Sequence, residues 1–310
     1  MTQPLRFAIA GFGKIARDQH VPAIALTPEL ELVAVADPRG GPEGLPHYAS
    51  LDEMLAARPE IDAVALCTPP QSRRALAAAC LRAGKHVLLE KPPGAAVSEI
   101  APLLALAEAG HRTLFATWHS RFAPAVKPAR AYLAGRAVRS VRIVWKEDVR
   151  FWHPGQQWIW QAGGLGVFDP GINALSILTH ILPNPPFLTG AELEFPANRD
   201  APIAARMDLG DFEGAEMRAE FDWRQTGNQT WDIIVQTDAA ELALRDGGKT
   251  MLLDGAVVAD APEAEYATLY RHFLDLVARG ASDVDVLPLQ LVADAFTLGR
   301  RVLVDSFDDD

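Results

Sequence analysis

Cysteine, long apolar runs and basic charge are all scarce in this sequence of 310 residues. Its two cysteines, Cys67 and Cys80, occur in apolar segments, so no disulfide framework is expected. No apolar run approaches the roughly 20 residues that a membrane-spanning helix needs. Residues 1–4 do not resemble the start of a secretory leader. These features predict a cytoplasmic protein that does not contact a membrane.

Acidic residues outnumber basic ones, with 40 Asp and Glu against 29 Lys and Arg and a formal net charge of −11. Proteins that bind nucleic acid need a basic surface, so nucleic acid is not an expected partner. The acidic residues 308–310 predict a solvated tail. No spacing of His, Cys and acidic residues suggests a metal site. A hydrophobic fraction of 49% predicts a globular protein with a sizeable core.

The N-terminal part of the chain alternates short apolar runs with helical patterns. The runs are typical of strands that are buried on both faces. They are residues 6–10, 30–36, 61–67, 86–90 and 113–117. Strands that alternate with helices predict an α/β domain with a parallel, doubly wound sheet.

The C-terminal part has a different pattern. Several strand-like runs follow one another without helices over residues 187–259, which predicts an antiparallel sheet. Two helices are predicted to close the chain, at residues 263–278 and 289–304. The change of pattern predicts two domains, residues 1–120 and residues 121–310.

Residues 11–16 read Gly-x-Gly-x-x-Ala between the first strand and a helical pattern. The glycines allow a tight turn and the close approach of a pyrophosphate to the following helix. Asp37 ends the second strand, where a carboxylate would bind the ribose hydroxyls of NAD. Arg39 could pair with the 2′-phosphate of NADP, so both cofactors are expected, with NAD preferred. A strand–helix turn without a ligand is the alternative interpretation.

Other polar residues also follow the strand ends. Ligands of doubly wound sheets bind beyond the carboxyl ends of the strands, so these residues are predicted to contact the nucleotide. The predicted cofactor contacts are Gly11, Gly13, Lys14, Ile15, Asp37, Arg39, Thr68, Pro69, Glu90, Lys91 and His119.

Residues 145–176 contain four of the seven tryptophans, interleaved with carboxylates, an imidazole and an amide. Flat aromatic rings beside polar groups suit a ring-shaped polar ligand such as a sugar. An aromatic mini-core under a long loop is the alternative, with equal weight. Within this stretch Asp169 precedes Pro170, so it could also be the N-cap of a helix from residue 170. Asn173 lies one turn further on the same helix face.

Residues 84–92 read Gly-Lys-His-Val-Leu-Leu-Glu-Lys-Pro. Together with the glycine loop and the later Asp-x-x-x-Asn pair, this segment resembles the glucose–fructose oxidoreductase and inositol dehydrogenase family (Gfo/Idh/MocA). The resemblance covers essentially the whole chain. Residues 13–20, 116–121 and 152–160 look like the aldose 1-dehydrogenases of that family in particular.

The resemblance implies a Rossmann domain, a C-terminal domain with an open, mostly antiparallel sheet, and NAD(P)-dependent oxidation of an aldose at C1 to the lactone. L-Arabinose and D-galactose are the implied substrates. Lys91 and Asp169 match the catalytic residues of the family. Asn173 stands where many members have histidine, which leaves the proton acceptor open. The implied sugar contacts are Glu147, Trp152, His153, Asn173 and Trp231.

Two other functions remain compatible with the sequence. Relatives of this fold include non-catalytic sensors that keep the nucleotide pocket, but a sensor need not retain both Lys91 and Asp169. A dehydrogenase of inositol or of a cyclic diol is the third alternative, and Asn173 in place of histidine argues against it. A homodimer through the open sheet is also expected, because the uncovered sheet face would need an apolar partner.

Overall fold

The computed structural model describes residues 3–308. Four residues lie outside the described part: Met1, Thr2, Asp309 and Asp310. The expectations about residues 1–4 and about the acidic tail fall partly on them. The chain forms two compact units. The first runs up to Trp118 and includes Tyr266–Val286, and the second contains His119–Glu265 and the chain from Leu287 onward.

Helices and strands alternate in the first unit, and strands dominate the second. The helices are α1 Val21–Ala25, α2 Leu51–Ala57, α3 Pro70–Arg82, α4 Ile100–Ala109, α5 Val126–Leu133, α6 Val149–Trp152, α7 Phe168–Ile181, α8 Glu265–Arg279 and α9 Leu287–Leu298. The strands are β1 Leu5–Ala10, β2 Leu30–Ala36, β3 His47–Tyr48, β4 Ala63–Leu66, β5 His86–Glu90, β6 Leu114–Thr117, β7 Val138–Lys146, β8 Phe187–Pro196, β9 Ala204–Gly210, β10 Glu216–Asp222, β11 Thr230–Thr237, β12 Glu241–Arg245, β13 Thr250–Leu253, β14 Ala256–Asp260 and β15 Arg300–Val304.

The first unit is built on a six-stranded parallel sheet in the order β3-β2-β1-β4-β5-β6. This order is that of a doubly wound Rossmann sheet, so the predicted α/β fold is confirmed. The central strands are buried on both faces, which explains their continuous apolar runs. The strand order reverses between β1 and β4, and ligands bind at such a switch point, beyond the carboxyl ends of the strands.

The segment Tyr266–Val286 returns to the first unit through α8. The rings of Tyr270 and Phe273 lie 5.5 and 5.7 Å from the ring of Phe7 in β1, in edge-to-face contact. The carbonyl of Asp283 also accepts a hydrogen bond from the amide of Ala116. Nothing in the local sequence pattern indicates this return, because an amphipathic helix has the same sequence pattern whichever of the two units it packs against.

The second unit is built on a nine-stranded sheet in the order β14-β13-β12-β11-β7-β10-β9-β8-β15. Its neighbouring strands are antiparallel except for the β7–β10 and β8–β15 pairs, so the predicted mostly antiparallel sheet is confirmed. α7 packs closely on one face: a Cβ atom at Gly171 would lie 2.9 Å from the ring of Phe221 in β10. Glycine at this position therefore lets the helix approach the sheet.

Residues 289–304 do not form the single helix that the sequence predicted. α9 ends at Leu298, and after Gly299 the chain continues as β15, which pairs in parallel with β8. The helix prediction was wrong because five residues with mixed polarity fit either element. Pairing with β8, about a hundred residues earlier in the chain, decides the outcome.

The sheet face opposite α7 is charged. Arg206 contacts Glu192 and Glu194, and Arg224 contacts Glu194 and Asp222. Lys146 and Glu220 form a further ion pair at 2.9 Å. The expectation of an apolar face is therefore wrong. Along the strands β7 to β10, every second side chain points away from α7, and these outward side chains form ion pairs instead of an apolar surface. Within residues 3–308, no helix is both long and apolar enough to cross a bilayer.

Candidate active site

The predicted site residues divide between the two units. The first unit holds the residues at the carboxyl edge of the Rossmann sheet, and the second holds the aromatic stretch and the start of α7. In the first unit are Gly11, Gly13, Lys14, Ile15, Asp37, Arg39, Thr68, Pro69, Glu90 and Lys91. In the second are His119, Glu147, Trp152, His153, Asp169, Asn173 and Trp231.

The glycine loop connects β1 to a short helical segment. Gly11 has a φ of +89°, and a Cβ atom there would lie 2.8 Å from the backbone nitrogen of Thr68, so only glycine fits. A Cβ atom at Gly13 would meet none of the described atoms within 4 Å. The segment after the loop begins as a π-helical turn, Ala16–His20, and continues as α1. A tight turn with an open side is what a pyrophosphate-binding loop requires.

Lys14, Ile15 and Pro69 are the more accessible of the predicted nucleotide contacts. Lys14 is exposed and forms an ion pair with Asp18, and Ile15 is half-buried just before the π-helical turn. Pro69 is exposed between β4 and α3. Their exposure leaves all three able to contact a ligand.

Asp37 is buried at the end of β2 and connects this strand to the glycine loop. Its carboxylate accepts hydrogen bonds from the amide of Phe12, at 2.7 Å, and from the amide of Arg39, at 2.8 Å. The Arg39 guanidinium also binds it, although the Arg39 side chain is 76% exposed. Burial raises the pKa of Asp37, but these hydrogen bonds outweigh burial and hold the pKa below its ordinary value. The carboxyl is therefore ionised.

A buried arginine holds the ends of β4 and β5 together. Arg73 of α3 donates hydrogen bonds to the carbonyl of Thr68, at 2.8 Å, and to the carbonyl of Glu90, at 2.6 Å. It also donates to the carbonyl of Pro92. Sequence analysis missed Arg73, and the signal was available: a charged residue in a helix of alanines and leucines that packs on the sheet.

Glu90 is buried and supports the backbone of Lys91. Its Oε2 accepts the Lys91 amide at 2.9 Å, and its Oε1 accepts the hydroxyl of Tyr266 at 2.8 Å. Oε1 also lies 3.0 Å from Nε2 of His20. Lys91 itself is partly exposed and leads into a cis peptide bond with Pro92. The structure thus places Glu90 behind Lys91, with its carboxylate directed into the protein.

Glu147 lies just after β7 and is buried between two indoles. Its Oε2 accepts a hydrogen bond from Nε1 of Trp231 at 2.9 Å, and its Oε1 accepts one from Nε1 of Trp223 at 3.4 Å. Trp223 is fully buried. Sequence analysis missed this tryptophan, which stands alone after a strand-like run, outside the aromatic stretch.

Trp152 and Trp231 form a half-buried aromatic surface. Their ring centroids are 5.6 Å apart, and Trp145 lies behind Trp231 at 6.1 Å. Nε1 of Trp152 donates to the side-chain oxygen of Gln229 at 3.0 Å. Gln229, also missed in the sequence, orients this ring, and no local pattern marks it.

Asp169 and His153 meet at the start of α7. Nε2 of His153 lies 3.4 Å from Oδ2 of Asp169, and the imidazole also contacts the ring of Trp223 at 5.3 Å. α7 begins at Phe168 and its N-cap is Val167, so the N-cap interpretation of Asp169 is wrong. Asp169 lies inside the first turn, where helix N-termini favour negative charge. Asn173 follows one turn later and is partly exposed.

His119 lies in a 3₁₀ turn that follows β6. Its Nδ1 is 2.7 Å from the carboxylate of Glu265, and the hydroxyl of Ser120 is 3.4 Å away. The structure therefore pairs His119 with a carboxylate of the second unit. Its predicted contact with the nucleotide stays a prediction.

The tryptophans of the aromatic stretch pack with two later tryptophans, Trp223 and Trp231, and form one buried pair and one partly exposed pair. Trp160 and Trp223 are buried, and their rings touch at 5.2 Å, as in a mini-core. Trp152 and Trp231 are partly exposed, as a ligand surface requires. Within the described part of the chain, no cluster of His, Cys, Asp and Glu could hold a metal ion. The second unit therefore offers aromatic faces, hydrogen-bonding groups and the Asp169 carboxyl, and the first unit offers Lys91.

Comparison with known proteins assigns the chain to a family. Residues 5–117 match the family model "Oxidoreductase family, NAD-binding Rossmann fold" (GFO_IDH_MocA). A galactose 1-dehydrogenase from Pseudomonas fluorescens is 48% identical over 307 residues, which cover 99% of this chain and 100% of the relative.

Solved structures agree with this assignment. The crystal structure of a D-galactose-1-dehydrogenase from Rhizobium etli aligns with a TM-score of 0.95 at 56% identity, over 99% of each chain. A 3-ketoreductase from Actinomadura kijaniata, solved with NADP and TDP-benzene, aligns with a TM-score of 0.85 over 97% of this chain and 100% of its own. Its 20% identity shows the shared fold alone.

Proposed function

Because its full-length similarity shows that this chain belongs to the Gfo/Idh/MocA oxidoreductase family, we propose that it oxidises D-galactose and L-arabinose at C1 to the lactone with NAD(P)⁺. The names of its similar relatives support a sugar dehydrogenase. The observation that carries the proposal is the connected group around Asp169. His153 touches both Asp169 and Trp223, and Glu147 joins Trp223 to Trp231.

The first unit offers the groups that would hold the dinucleotide. Gly11 and Gly13 form the tight, open-sided turn, and Asp37 is an ionised carboxylate where the ribose diol would bind. This arrangement fits NAD. Arg39 is largely exposed and could turn from Asp37 to a 2′-phosphate. We therefore propose that both cofactors are accepted and that NAD is preferred.

The oxidation requires a base for the C1 hydroxyl and an acceptor for the C1 hydride. Bound NAD(P)⁺ would supply the hydride acceptor. Asp169 is proposed as the base, held in place by His153. The Lys91 ammonium would stabilise negative charge that develops on the C1 oxygen. Asn173 is an amide and cannot act as a base, so it would bind the sugar through hydrogen bonds.

The second unit offers a surface for the sugar ring. The half-buried faces of Trp152 and Trp231 would stack on the C–H faces of the sugar. His153 would bind a hydroxyl. Both Glu147 oxygens accept hydrogen bonds from indoles, so we propose that Glu147 contributes by orienting Trp231.

A panel of aldoses, assayed with NAD⁺ and with NADP⁺ by absorbance of the reduced cofactor, tests the proposal. D-Galactose and L-arabinose should be oxidised with the highest kcat/KM, and D-glucose poorly, because the two favoured sugars share their configuration from C1 to C4. D-Glucose as the best aldose would contradict the assignment of the pocket. Nucleotide binding without turnover of any aldose would favour a sensor, and turnover of inositol or a cyclic diol alone would favour the third alternative.

A further inference from the structure

We propose that His20, Tyr266 and Tyr270 are positioning residues for Lys91, and that their hydrogen-bonded network with Glu90 couples nucleotide binding at the glycine loop to the position of this lysine. The effect of this coupling on catalysis rests on the proposed function. The network itself lies entirely in the first unit and consists of hydrogen bonds among buried side chains.

Glu90 is the centre of the network. It is 2% exposed, and its two oxygens have different tasks. Oε2 accepts the amide of Lys91 at 2.9 Å and so restrains the backbone from which the lysine side chain projects. Oε1 accepts the hydroxyl of Tyr266 at 2.8 Å and contacts Nε2 of His20 at 3.0 Å. Moving either partner would therefore move the carboxylate that holds Lys91.

His20 extends the network away from Glu90. It is completely buried, and its Nδ1 lies 2.7 Å from the hydroxyl of Tyr270. The rings of Tyr266 and Tyr270 also meet the imidazole edge-to-face, at 5.0 and 5.8 Å. Contacts on both nitrogens and on the ring leave His20 little freedom to move.

The charges of the network make it costly to disturb. Burial alone lowers the pKa of His20, but Cys67, Tyr270 and Glu90 outweigh burial and hold that pKa well above its ordinary range. Burial raises the pKa of Tyr270 to about 12, so this phenol is neutral. The raised pKa favours the protonated form of His20 beside Glu90, so removing either partner would take a hydrogen bond from a buried polar group.

The chain path connects this pair to the glycine loop. His20 is the last residue of the π-helical turn Ala16–His20, which follows the loop directly. The amide of Arg17, in the same turn, donates to the carbonyl of Gly13 at 3.2 Å. Single π-helical turns inside helices are frequent at functional sites. A nucleotide that contacts the loop would therefore act on His20, then on Glu90, and then on the amide of Lys91.

A simpler role is also compatible with these contacts, because a buried polar network can serve only to stabilise the fold. Tyr266→Phe separates the two roles, since it removes one donor to Glu90 and keeps the ring against His20. Tyr132→Phe, in α5 of the second unit, is the matched control. Hydrogen exchange of residues 86–94, with and without NADH, reports on the coupling without any turnover.

In the wild-type protein, NADH should slow hydrogen exchange in residues 86–94, and Tyr266→Phe should lose most of this protection. The variant should also lower kcat about tenfold, the effect of one hydrogen bond to a charged group, with the KM for the aldose within about twofold. The pH profile of kcat should shift, since the charged pair behind Lys91 is altered. Tyr132→Phe should match the wild type in all three measurements.

A purely structural network would give a different result. Tyr266→Phe would then lower the melting temperature while kcat, its pH profile and the NADH-dependent protection stay as in the wild type, and the proposal would be overturned. If Tyr266→Phe does not fold, Tyr270→Phe replaces it, because this hydroxyl is one contact further from Lys91. If the wild type oxidises no aldose, the proposed function fails, but the exchange measurement still decides whether the coupling exists.

Discussion

Three carboxyl groups of this protein lie at buried positions, where desolvation opposes the charged form. Asp37, Glu90 and Asp169 are all nearly inaccessible to solvent. Each of them has hydrogen-bonding or charged partners within its own unit. Such buried carboxylates are unusual unless a function or a paired charge maintains them. Three substitutions test the roles of Asp37, Asp169 and Lys91.

Lys91→Met removes the ammonium and keeps an unbranched side chain. Without a positive charge near the C1 oxygen, kcat should fall by at least about 10²-fold, while the nucleotide Kd stays nearly unchanged. Steady-state kinetics and a fluorescence titration with NADH measure the two effects. Lys127→Met, at an exposed position of α5, is the control. Near-normal kcat in Lys91→Met would remove Lys91 from the mechanism.

Asp169→Asn tests the proposed base. It keeps the size of the side chain and removes the proton acceptor, so kcat should fall by about 10²- to 10⁴-fold. The N-cap of α7 is Val167, so losing the carboxylate removes no cap, and the protein should fold with a modest loss of melting temperature from the lost charge beside His153 and the helix N-terminus. Asp208→Asn, at an exposed carboxylate of β9, is the control. Normal turnover in Asp169→Asn would direct the search for the base to His153 or Lys91.

Asp37→Ser tests the choice of cofactor. The substitution removes a charge that repels a 2′-phosphate and releases Arg39 from its ion pair. The ratio of kcat/KM for NADP⁺ to that for NAD⁺ should rise by about tenfold, as expected for one charge-assisted contact. Adding Arg39→Ala should cancel most of the gain. An unchanged ratio in the single variant would show that Asp37 does not contact the ribose.

At the scale of the elements, contacts between distant segments determine where helices and strands begin and end. β5 illustrates this, because its first residue accepts a hydrogen bond from the end of the α4–β6 loop. Nδ1 of His86 accepts the amide of Thr113 at 3.0 Å, which requires that nitrogen to be unprotonated. Burial, together with the guanidinium of Arg112, lowers the pKa of His86 from 6.5 to about 4.

This contact predicts a specific dependence of stability on pH. The folded pKa is depressed, so the contribution of His86 is fully present above about pH 6.5 and is lost as the pH falls toward 4. His86→Asn keeps an acceptor near the Nδ1 position and cannot take up the proton. Urea denaturation at pH 7 and at pH 5 should show a smaller loss of unfolding free energy in His86→Asn than in the wild type. The control is His111→Asn, at an exposed histidine; equal losses in all three proteins would show that His86 does not contribute.

At the scale of the whole molecule, the charged sheet face of the second unit bears on assembly. The homodimer through this face remains our proposal, and a second copy would have to pack on charged side chains such as those of Arg206–Glu192 and Lys146–Glu220 rather than on an apolar surface. An interface of this kind is screened by salt. Sedimentation at micromolar concentration should therefore show a dimer at low ionic strength that weakens at high ionic strength. A monomer at low ionic strength would rule the dimer out, and a dimer insensitive to salt would place it on another surface.

The sequence by itself determined the family, the doubly wound sheet and the position of the glycine loop. These features depend on local patterns: continuous apolar runs of buried strands, a turn that only glycine permits at Gly11, and residues 84–92 with their family-specific order. It also predicted the mostly antiparallel second sheet. Each of these signals lies within a short segment, so no knowledge of distant contacts is needed to interpret it.

Only the tertiary structure decided which distant residues support the site. His20, Glu90 and Tyr266 are separated by 70 and 176 residues, and Trp223 lies 76 residues from Glu147. Likewise, residues 300–304 are a strand because β8 is available to pair with them. A local sequence pattern predicts whether a segment prefers a buried or an exposed environment. It does not predict which other segment of the chain will pack against it. The partners are selected when the chain folds, because hydrogen bonds and packing then act between groups that the sequence keeps far apart.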